Sequence, residues 1–246
     1  MGYAWRVLVP KKDLAANVAI LSRLPISHVR DLAVGPWKDR TPVRDIIEAR
    51  IESGGHSLYV FVNHWKAKTG GVKATEASRL QSASVLAARV REILAQDPSA
   101  DLLAAGDMNE STDEFVRTGR KYQTALIPTG ETTPQKFAQK SIFLSGSPRG
   151  LDAAGDRLVL YDPWFELAPG ERGSYSYQGE WLTVDHILLS AGLFDSRGWS
   201  YRPGSFGPVR LPFLLSAGGV PRKWSGLSAG RGYSDHLPLL VTLDAH

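Results

Sequence analysis

Four short polar segments stand at the edges of apolar runs in this chain, and they constrain its fold more than any other feature. Each apolar run has the length of a buried strand, so the segments are predicted to lie at strand ends. Their candidate functional side chains are two imidazoles, three carboxylates and one amide, a set that suits metal-assisted cleavage of a phosphate ester. The segments are Asn63-His64, Gly106-Asp107-Met108-Asn109, Val184-Asp185-His186 and Ser234-Asp235-His236.

Composition limits the class of protein. With 246 residues, 43% of them hydrophobic, the chain has the size of one domain, which we take as residues 1–246. The net charge of +4 and the pI near 9.3 favour a polyanionic partner mildly, and an ordinary basic surface explains them equally well. The absence of cysteine excludes disulfides, a thiolate nucleophile and sulfur-based zinc sites. No apolar run approaches the roughly 20 residues of a membrane span, and residues 1–10 do not resemble a signal peptide, so a soluble chain is expected.

Hydrophobic periodicity predicts several strands and one long helix. Two runs at 46–51 and 57–62 flank Ser-Gly-Gly-His, which is a hairpin signal. From Thr75 the apolar residues recur every three or four positions, which predicts a helix capped by Thr75 and ended before Pro98. Residues 111–180 and 191–232 are predicted to be mostly loops and short strands, with room for one helix. The pattern favours an α/β sandwich with loops at one rim, whose other strands are predicted at residues 17–23, 101–105, 157–161, 181–189 and 237–243.

The second and third segments suggest specific chemistry. If residues 107–109 are extended, Asp107 and Asn109 share a face, where the carboxylate orients or deprotonates water and the amide binds a phosphate oxygen. Taken alone, the tetrapeptide favours a turn in which both side chains bond nearby backbone. Asp185 lies in an apolar strand and needs a partner, for which the imidazole of His236 is the natural candidate. By alternation His186 faces the opposite way and is interpreted as a packing residue.

The remaining candidates each have a structural alternative. Asp235 suits a hard cation such as Mg²⁺. His64 would donate to the scissile phosphate or leaving oxygen, or else be a histidine satisfied at a strand end. Lys66 and Arg44 are candidate phosphate contacts, although such cations are commonly solvated. Tyr177, like Tyr175, would stack on a base or sugar, and packing at the rim is the simpler explanation.

Five stretches together resemble the endonuclease/exonuclease/phosphatase superfamily, which has the deoxyribonuclease-I-like fold, and particularly its bacterial members. They match in the order of the family and span residues 17–243. The stretches are residues 17–25 (NVAILSRLP), 61–68 (FVNHWKAK), 106–110 (GDMNE), 176–190 (SYQGEWLTVDHILLS) and 234–240 (SDHLPLL).

The resemblance implies a four-layer sandwich of two mixed β-sheets flanked by helices, with a hydrolytic site on one rim that depends on Mg²⁺, or on Mn²⁺ or Ca²⁺. Carried over by motif, His64 contacts the scissile phosphate, Asp107 activates or positions water, and Asn109 binds a phosphate oxygen. Asp185 orients His236, and Asp235 is a metal ligand.

One departure from the family is expected to matter. Members normally begin with a strand bearing an Asn, a helix, and a strand ending in a metal-binding Glu, whereas only sixteen residues precede Asn17 here and they lack that pattern. We therefore expect an N-terminally incomplete family domain, a fragment of a longer product, with an exposed sheet edge or apolar face. Completion by another polypeptide and a rebuilt metal site are the alternatives, the latter with Asp45 or Glu48 as the replacement acid.

The sequence thus predicts a metal-dependent phosphodiester hydrolase, with nucleic acid as the first substrate and a monomeric state. A phosphatase acting on sugar, inositol or lipid phosphates uses the same residues and is the second reading. A binding module with an incomplete metal site is the third. Export of the full-length protein is suggested by the resemblance to secreted bacterial nucleases.

Overall fold

The computed structural model describes residues 2–9, 17–35, 43–151, 157–224 and 232–246, so residues 152–156 and 225–231 of the two predicted irregular stretches lie outside the described residues. The described part contains the long helix α1 (Val72–Gln96), the short helix α2 (Glu114–Arg117) and sixteen strands. The strands are β1 (Trp5–Leu8), β2 (Ala19–Ser22), β3 (Ile26–Leu32), β4 (Ile46–Ser53), β5 (His56–His64), β6 (Leu102–Asp107), β7 (Leu126–Pro128), β8 (Ile142–Ser145), β9 (Leu158–Tyr161), β10 (Tyr175–Tyr177), β11 (Glu180–Leu182), β12 (Asp185–Leu189), β13 (Trp199–Tyr201), β14 (Gly207–Pro208), β15 (Leu239–Leu240) and β16 (Leu243–Ala245). Short 3₁₀ turns cover Gln135–Gln139, Pro163–Glu166, Pro169–Glu171, Ala191–Phe194 and Pro212–Leu214.

Eight strands form one mixed sheet in the order β3-β4-β5-β6-β12-β9-β8-β7. The predicted hairpin is present as β4 and β5, which pair antiparallel, while β5 and β6 pair parallel because α1 connects them. Strand β12 then runs antiparallel to β6. The strands β5, β6 and β12 are central in the sheet. The C-terminal ends of β5 and β6 and the N-terminal end of β12 therefore lie side by side at the same end of these strands.

Side chains alternate between two apolar layers, one on each face of the large sheet. On one face Phe61, Leu102 and Leu188 pack with the helix α1. On the other face Val60, Ile187 and Leu189 pack under aromatic side chains from the C-terminal half of the chain. Three short antiparallel pairs, β1-β2, β13-β16 and β14-β15, contribute residues to that second layer, and β10-β11 forms a separate hairpin. The predicted α/β sandwich is confirmed, with a second layer built from small sheets.

Helix α1 lies where the periodicity predicts it, but it begins earlier. The stripe that includes Ala83, Ala87 and Val90 is buried against the sheet. The predicted cap at Thr75 is wrong, because the helix starts at Val72 and the Thr75 hydroxyl donates back to the Gly71 carbonyl at 2.9 Å. A glycine in the left-handed region, with φ of 112°, turns the chain into the helix instead.

Two predicted strands are divided in the structure because the chain changes pairing partner. Of residues 181–189, the first two belong to β11, which pairs with β10, and the last five form β12 of the large sheet. The predicted strand at residues 237–243 is split into β15 and β16, which pair with β14 and β13. The break is fixed at Thr242, whose backbone N–H donates to the Ser205 hydroxyl at 2.9 Å.

Two surface features complete the description. The strands β1 and β2 expose Leu8 and Leu21 on one face and Trp5 on the other. Within the described residues, no helix combines the length and the hydropathy needed to cross a bilayer.

Asp101 directly precedes β6, at the end of the strand opposite to Asp107. Ionisation of its carboxyl is expected to destabilise the folded chain. Its Oδ2 accepts the Trp199 backbone N–H at 2.8 Å, and burial raises the pKa of its carboxyl to about 6. The folded chain therefore binds more protons than the unfolded chain above pH 4, so this group's contribution to stability declines as the pH rises from about 4 to about 6. We expect Asp101→Asn to be more stable than wild type at pH 8 by about 1 kcal/mol, with the difference vanishing near pH 4. Urea unfolding at both pH values measures this, and a pH-independent difference would contradict it.

Candidate active site

Three of the predicted residues lie in one row across three neighbouring strands. His64 ends β5 and is the register partner of Asp107, which ends β6; Asp107 in turn pairs with Asp185, which begins β12. Directly paired residues project their side chains from the same face of a sheet. The three side chains therefore emerge together, and His64 Nε2 lies 3.5 Å from an oxygen of Asp107.

Gly106 makes this arrangement possible. Its φ is 131°, and a Cβ at this position would lie 1.9 Å from the Asn63 carbonyl oxygen, so a larger residue would push β5 and β6 apart. Beyond it, the Trp65 N–H donates to the Asp107 carbonyl at 2.8 Å, and the Met108 N–H donates to the Val184 carbonyl at 2.9 Å. These backbone bonds hold the polar ends of β5, β6 and β12 at a fixed spacing.

Asp185 and His236 form a close pair, although 51 residues separate them. The Asp185 carboxylate accepts from His236 Nδ1 at 2.7 Å and from the Ser174 hydroxyl at 2.5 Å. An ionised Asp185 requires the proton of a neutral His236 on Nδ1, which leaves the Nε2 lone pair free to accept a proton. Ser174 was missed by the sequence analysis, because nothing in its local pattern links it to Asp185.

The surroundings shift the pKa values of His64 and His236 in opposite directions. Burial, followed by the charges of Arg44 and His236, lowers the pKa of His64 to about 4, so this imidazole is neutral at physiological pH. Burial also lowers the pKa of His236, but the hydrogen bond and charge of Asp185 together with the charge of Asp107 outweigh it and raise the pKa overall. His236 is therefore the histidine suited to accept a proton.

Asp107, Asp185 and His236 offer one ligand atom each, all within 4.8 Å of one another, the only such group among the described residues. Burial and the nearby charge of Asp185 raise the pKa of Asp107 to about 6. A cation between the two carboxylates would relieve that repulsion, and carboxylate oxygens are the ligands that Mg²⁺ and Mn²⁺ prefer. The donor set therefore fits a divalent cation.

Asp235, the metal ligand expected from the motif, is not in that group. Its side chain is 45% exposed, and its carboxylate lies 3.6 Å from the Lys223 ammonium. The chain bends at Asp235, and the Ser234 hydroxyl accepts the His236 N–H across this bend at 3.0 Å. The bend directs His236 toward Asp185.

Asn109 differs from the extended geometry considered for it. Its φ is 52°, and its backbone N–H donates to the Asp107 carboxylate at 2.9 Å, so residues 107–109 form a turn. Its side-chain amide donates to the Trp65 carbonyl at 3.2 Å. The condition of an extended segment is therefore not met, and the turn that the tetrapeptide alone favours is present.

The candidate substrate-binding residues occupy different surroundings. Arg44 is half-buried and lies within electrostatic range of the cluster, since its charge helps to lower the pKa of His64. Lys66 follows His64 by two residues and is partly exposed. Tyr177 is 54% exposed in β10. Glu48, considered as a replacement acid, is instead bonded to Arg89 of α1 at 2.6 Å, on the helix-covered face of the sheet.

A buried ion cluster behind the site was not foreseen. Arg79 of α1 is fully buried and donates to Glu110 at 3.0 Å, to Glu76 at 2.7 Å and to the Lys66 carbonyl at 3.1 Å. The Glu110 carboxylate also accepts the Leu126 N–H at 2.8 Å. Arg79 therefore joins the segment after His64 to the segment after Asn109. One indication of this cluster was present in the sequence, because Glu110 directly follows Asn109.

His186 is buried on the opposite face from Asp185, as alternation predicts, but it is more than a packing residue. One ring nitrogen lies 2.8 Å from the Glu110 carbonyl oxygen, and the other lies 3.3 Å from a carboxylate oxygen of Asp162. Burial lowers the pKa of His186, and the charge of Asp162 reverses the effect and raises it overall. This contact supports the loop that carries Asn109.

Comparison with known proteins identifies a family match over part of the chain and a shared fold. Residues 24–123 match the Endonuclease/Exonuclease/phosphatase family, and this segment includes His64, Asp107 and Asn109. The chain has the fold of the endonuclease/exonuclease/phosphatase superfamily. The search of curated proteins returned no match.

Solved structures of this fold cover nearly the whole chain. Zebrafish (D. rerio) TDP2 complexed with single strand DNA product is 15% identical with a TM-score of 0.58, over 99% of this chain and 78% of that chain. Mannosyl-6-phosphatase from Bacteroides thetaiotaomicron is 17% identical with a TM-score of 0.54, over 99% and 77%. The human Nocturnin catalytic domain with bound sulfate is 16% identical with a TM-score of 0.54, over 100% and 73%. At these identities the likeness concerns the fold.

Proposed function

We propose that this chain is a divalent-metal-dependent phosphodiester hydrolase that cleaves nucleic acid. The observation that carries the proposal is the convergence of Asp107, Asp185 and His236 within 4.8 Å, beside a neutral His64. Two carboxylates and two imidazoles thus lie together at the ends of the central strands. They provide acceptors for a water proton and donors for a phosphate oxygen. The fold shared with a nucleic-acid-bound protein and a phosphatase supports this class of chemistry.

Each residue has a distinct role in the proposal. His236, held by Asp185 through Nδ1, accepts the proton of the attacking water at Nε2. Asp107, with one oxygen engaged by the Asn109 N–H, directs the other toward the same water. His64 stays neutral and donates a hydrogen bond to a non-bridging phosphate oxygen, and Arg44 adds positive charge nearby.

Asp107 and Asp185 would hold the cation, which neutralises phosphate charge and lowers the pKa of bound water when present. Asp235 is not assigned to the cation, because its carboxylate pairs with Lys223 and lies outside the group of Asp107, Asp185 and His236. Asn109 donates to backbone in this structure, so we assign it to shaping the turn rather than to phosphate contact.

Incubation with supercoiled plasmid and with bis(4-nitrophenyl) phosphate tests the function directly. We expect Mg²⁺- or Mn²⁺-dependent hydrolysis that EDTA abolishes, and a decrease of about 10³-fold in His236→Ala, because the proton acceptor is removed. His246→Ala is the matched control, since this histidine is exposed and its ring nitrogen bonds to the Ser200 hydroxyl at 3.0 Å. Wild-type rates in His236→Ala would contradict the assignment.

The same assay separates the alternatives. Hydrolysis of mannose 6-phosphate and other monoesters, with no attack on either diester, would identify a phosphatase. Tight binding of nucleic acid with no cleavage under any divalent cation would identify a binding module.

A further inference from the structure

We propose that residues 209–224 and 232–233, here called the ribbon, dock this chain on the surface of an anionic phospholipid membrane. The ribbon lies between β14 and β15 in the sequence, and its last residue stands three positions before His236. It carries five large apolar side chains that are between 37% and 61% exposed to water. They are Leu211, Phe213, Val220, Trp224 and Tyr233.

Backbone bonds pack the ribbon into three neighbouring segments. The Arg222 N–H donates to the Leu214 carbonyl at 2.7 Å, and the Tyr233 N–H donates to the Arg222 carbonyl at 2.7 Å. Gly232 permits this close packing, because a Cβ there would lie 2.1 Å from the Arg222 carbonyl oxygen. The Phe213 and Tyr233 rings meet across the segments, with centroids 5.6 Å apart and planes 82° apart. Exposed apolar side chains from the first and third segments therefore form one patch.

The ribbon is joined to the chain beside the candidate active site. At its start, the Val209 N–H donates to the Pro238 carbonyl at 2.8 Å. Near the end of its first part, the Lys223 ammonium lies 3.6 Å from the carboxylate of Asp235, which directly precedes His236. Both contacts flank the residue proposed as the proton acceptor. Docking through the ribbon would consequently hold the candidate site near the lipid surface.

The charge of this part of the chain has one sign. Between Asp195 and Asp235 the sequence has six Lys or Arg residues and no Asp or Glu. Three of the six lie in the ribbon and are exposed, and they are Arg210, Arg222 and Lys223. Anionic headgroups attract Lys and Arg close to a membrane surface. The ribbon thus presents apolar side chains among positive charges, which is complementary to an anionic bilayer.

The side chains of the ribbon favour lipid over nucleic acid or protein. Leu211 and Val220 are aliphatic and offer no ring face to a base. Phe213 and Tyr233 meet edge to face, so their rings do not form parallel platforms for successive bases. Protein interfaces use charges of both signs to fix register, and this stretch has no acid. Exposed Trp and Tyr among apolar side chains and cations are typical of segments that lie in the headgroup region.

Sedimentation with lipid vesicles in EDTA tests docking without turnover, so its failure would leave the proposed function untouched. We expect wild type to bind vesicles of phosphatidylglycerol and phosphatidylcholine, and to bind pure phosphatidylcholine at least ~10-fold more weakly. Trp224→Ser should bind the mixed vesicles about 10-fold more weakly, because a large apolar side chain no longer leaves water. Leu8→Ser removes an exposed apolar side chain from β1 and, as the matched control, should bind as wild type does.

A charge variant tests the electrostatic part of the proposal. Lys223→Gln should weaken binding to the mixed vesicles about 5-fold, because one cation near the headgroups is lost. Added salt should weaken wild-type binding for the same reason. Trp224 and Lys223 are exposed, so neither substitution should lower the melting temperature.

Several results would overturn the inference. One is the absence of wild-type binding to the mixed vesicles, and another is equal binding by wild type and Trp224→Ser. A dimer without lipid that Trp224→Ser dissociates would assign the ribbon to a second copy of the chain instead. Loss of affinity for a single-stranded oligonucleotide in Trp224→Ser, with unchanged vesicle binding, would assign it to nucleic acid.

Discussion

Asp107→Asn is expected to lower kcat for phosphodiester hydrolysis by about 10³-fold or more while the chain stays folded. The amide keeps the shape of the side chain and can still accept the Asn109 N–H, so the turn should persist. It removes the negative charge that faces His236 and Asp185 and that would bind a cation. Kinetics with bis(4-nitrophenyl) phosphate in Mg²⁺ measure the change.

Stability distinguishes this effect from unfolding. Burial raises the pKa of Asp107 to about 6, above its unfolded value, so the ionised carboxylate disfavours the folded state at pH 8. The asparagine variant should therefore melt no lower than wild type at pH 8 in EDTA. Asp244→Asn, an exposed carboxylate paired with Arg202, is the control for loss of one surface acid and should keep full activity. A melting temperature that falls together with activity would show that Asp107 acts structurally.

Arg79→Met is expected to lower the free energy of unfolding by about 3–5 kcal/mol. The substitution leaves Glu110 and Glu76 buried without their cation and removes the bond to the Lys66 carbonyl. Chemical denaturation at pH 8 measures the loss. Activity should fall in the fraction that remains folded, because the segments after His64 and Asn109 lose their common support.

The surface pair Arg120–Glu131 provides the contrast. Its two hydrogen bonds, at 2.6 and 2.8 Å, have good geometry, but Arg120 is exposed to water. Arg120→Met should leave the denaturation midpoint unchanged, since exposed pairs contribute little. Equal effects of the two substitutions would show that the Arg79 cluster is not the support inferred for it.

Residues at the ends of regular strands were the most predictable part of the site. The alternation of a strand places Asp185 and His186 on opposite faces from sequence alone, and the structure has them there. The apolar runs before His64 and Asp107 likewise predict β5 and β6, although both strands continue two residues beyond the predicted runs and their register requires the fold. The periodicity of α1 predicts its buried stripe for the same reason, because burial repeats with the backbone period.

Residues in turns and long-range ion pairs were not predictable in this way. Asn109 adopts a left-handed conformation, and strand alternation says nothing of where such a side chain points. Asp235 lies within a bend, so its neighbour His236 enters the cluster while Asp235 faces Lys223. The bond from Arg79 to Glu110 spans 31 residues and depends on the packing of α1.

Binding of Mn²⁺ to wild type and to Asp107→Asn, followed by electron paramagnetic resonance in the absence of substrate, tests the central claim most directly. If Asp107 and Asp185 hold one cation beside His236, wild type binds Mn²⁺ and the variant binds it at least ~10-fold more weakly, while Asp244→Asn binds it as wild type does. Equal Mn²⁺ affinity in wild type and Asp107→Asn would contradict the account.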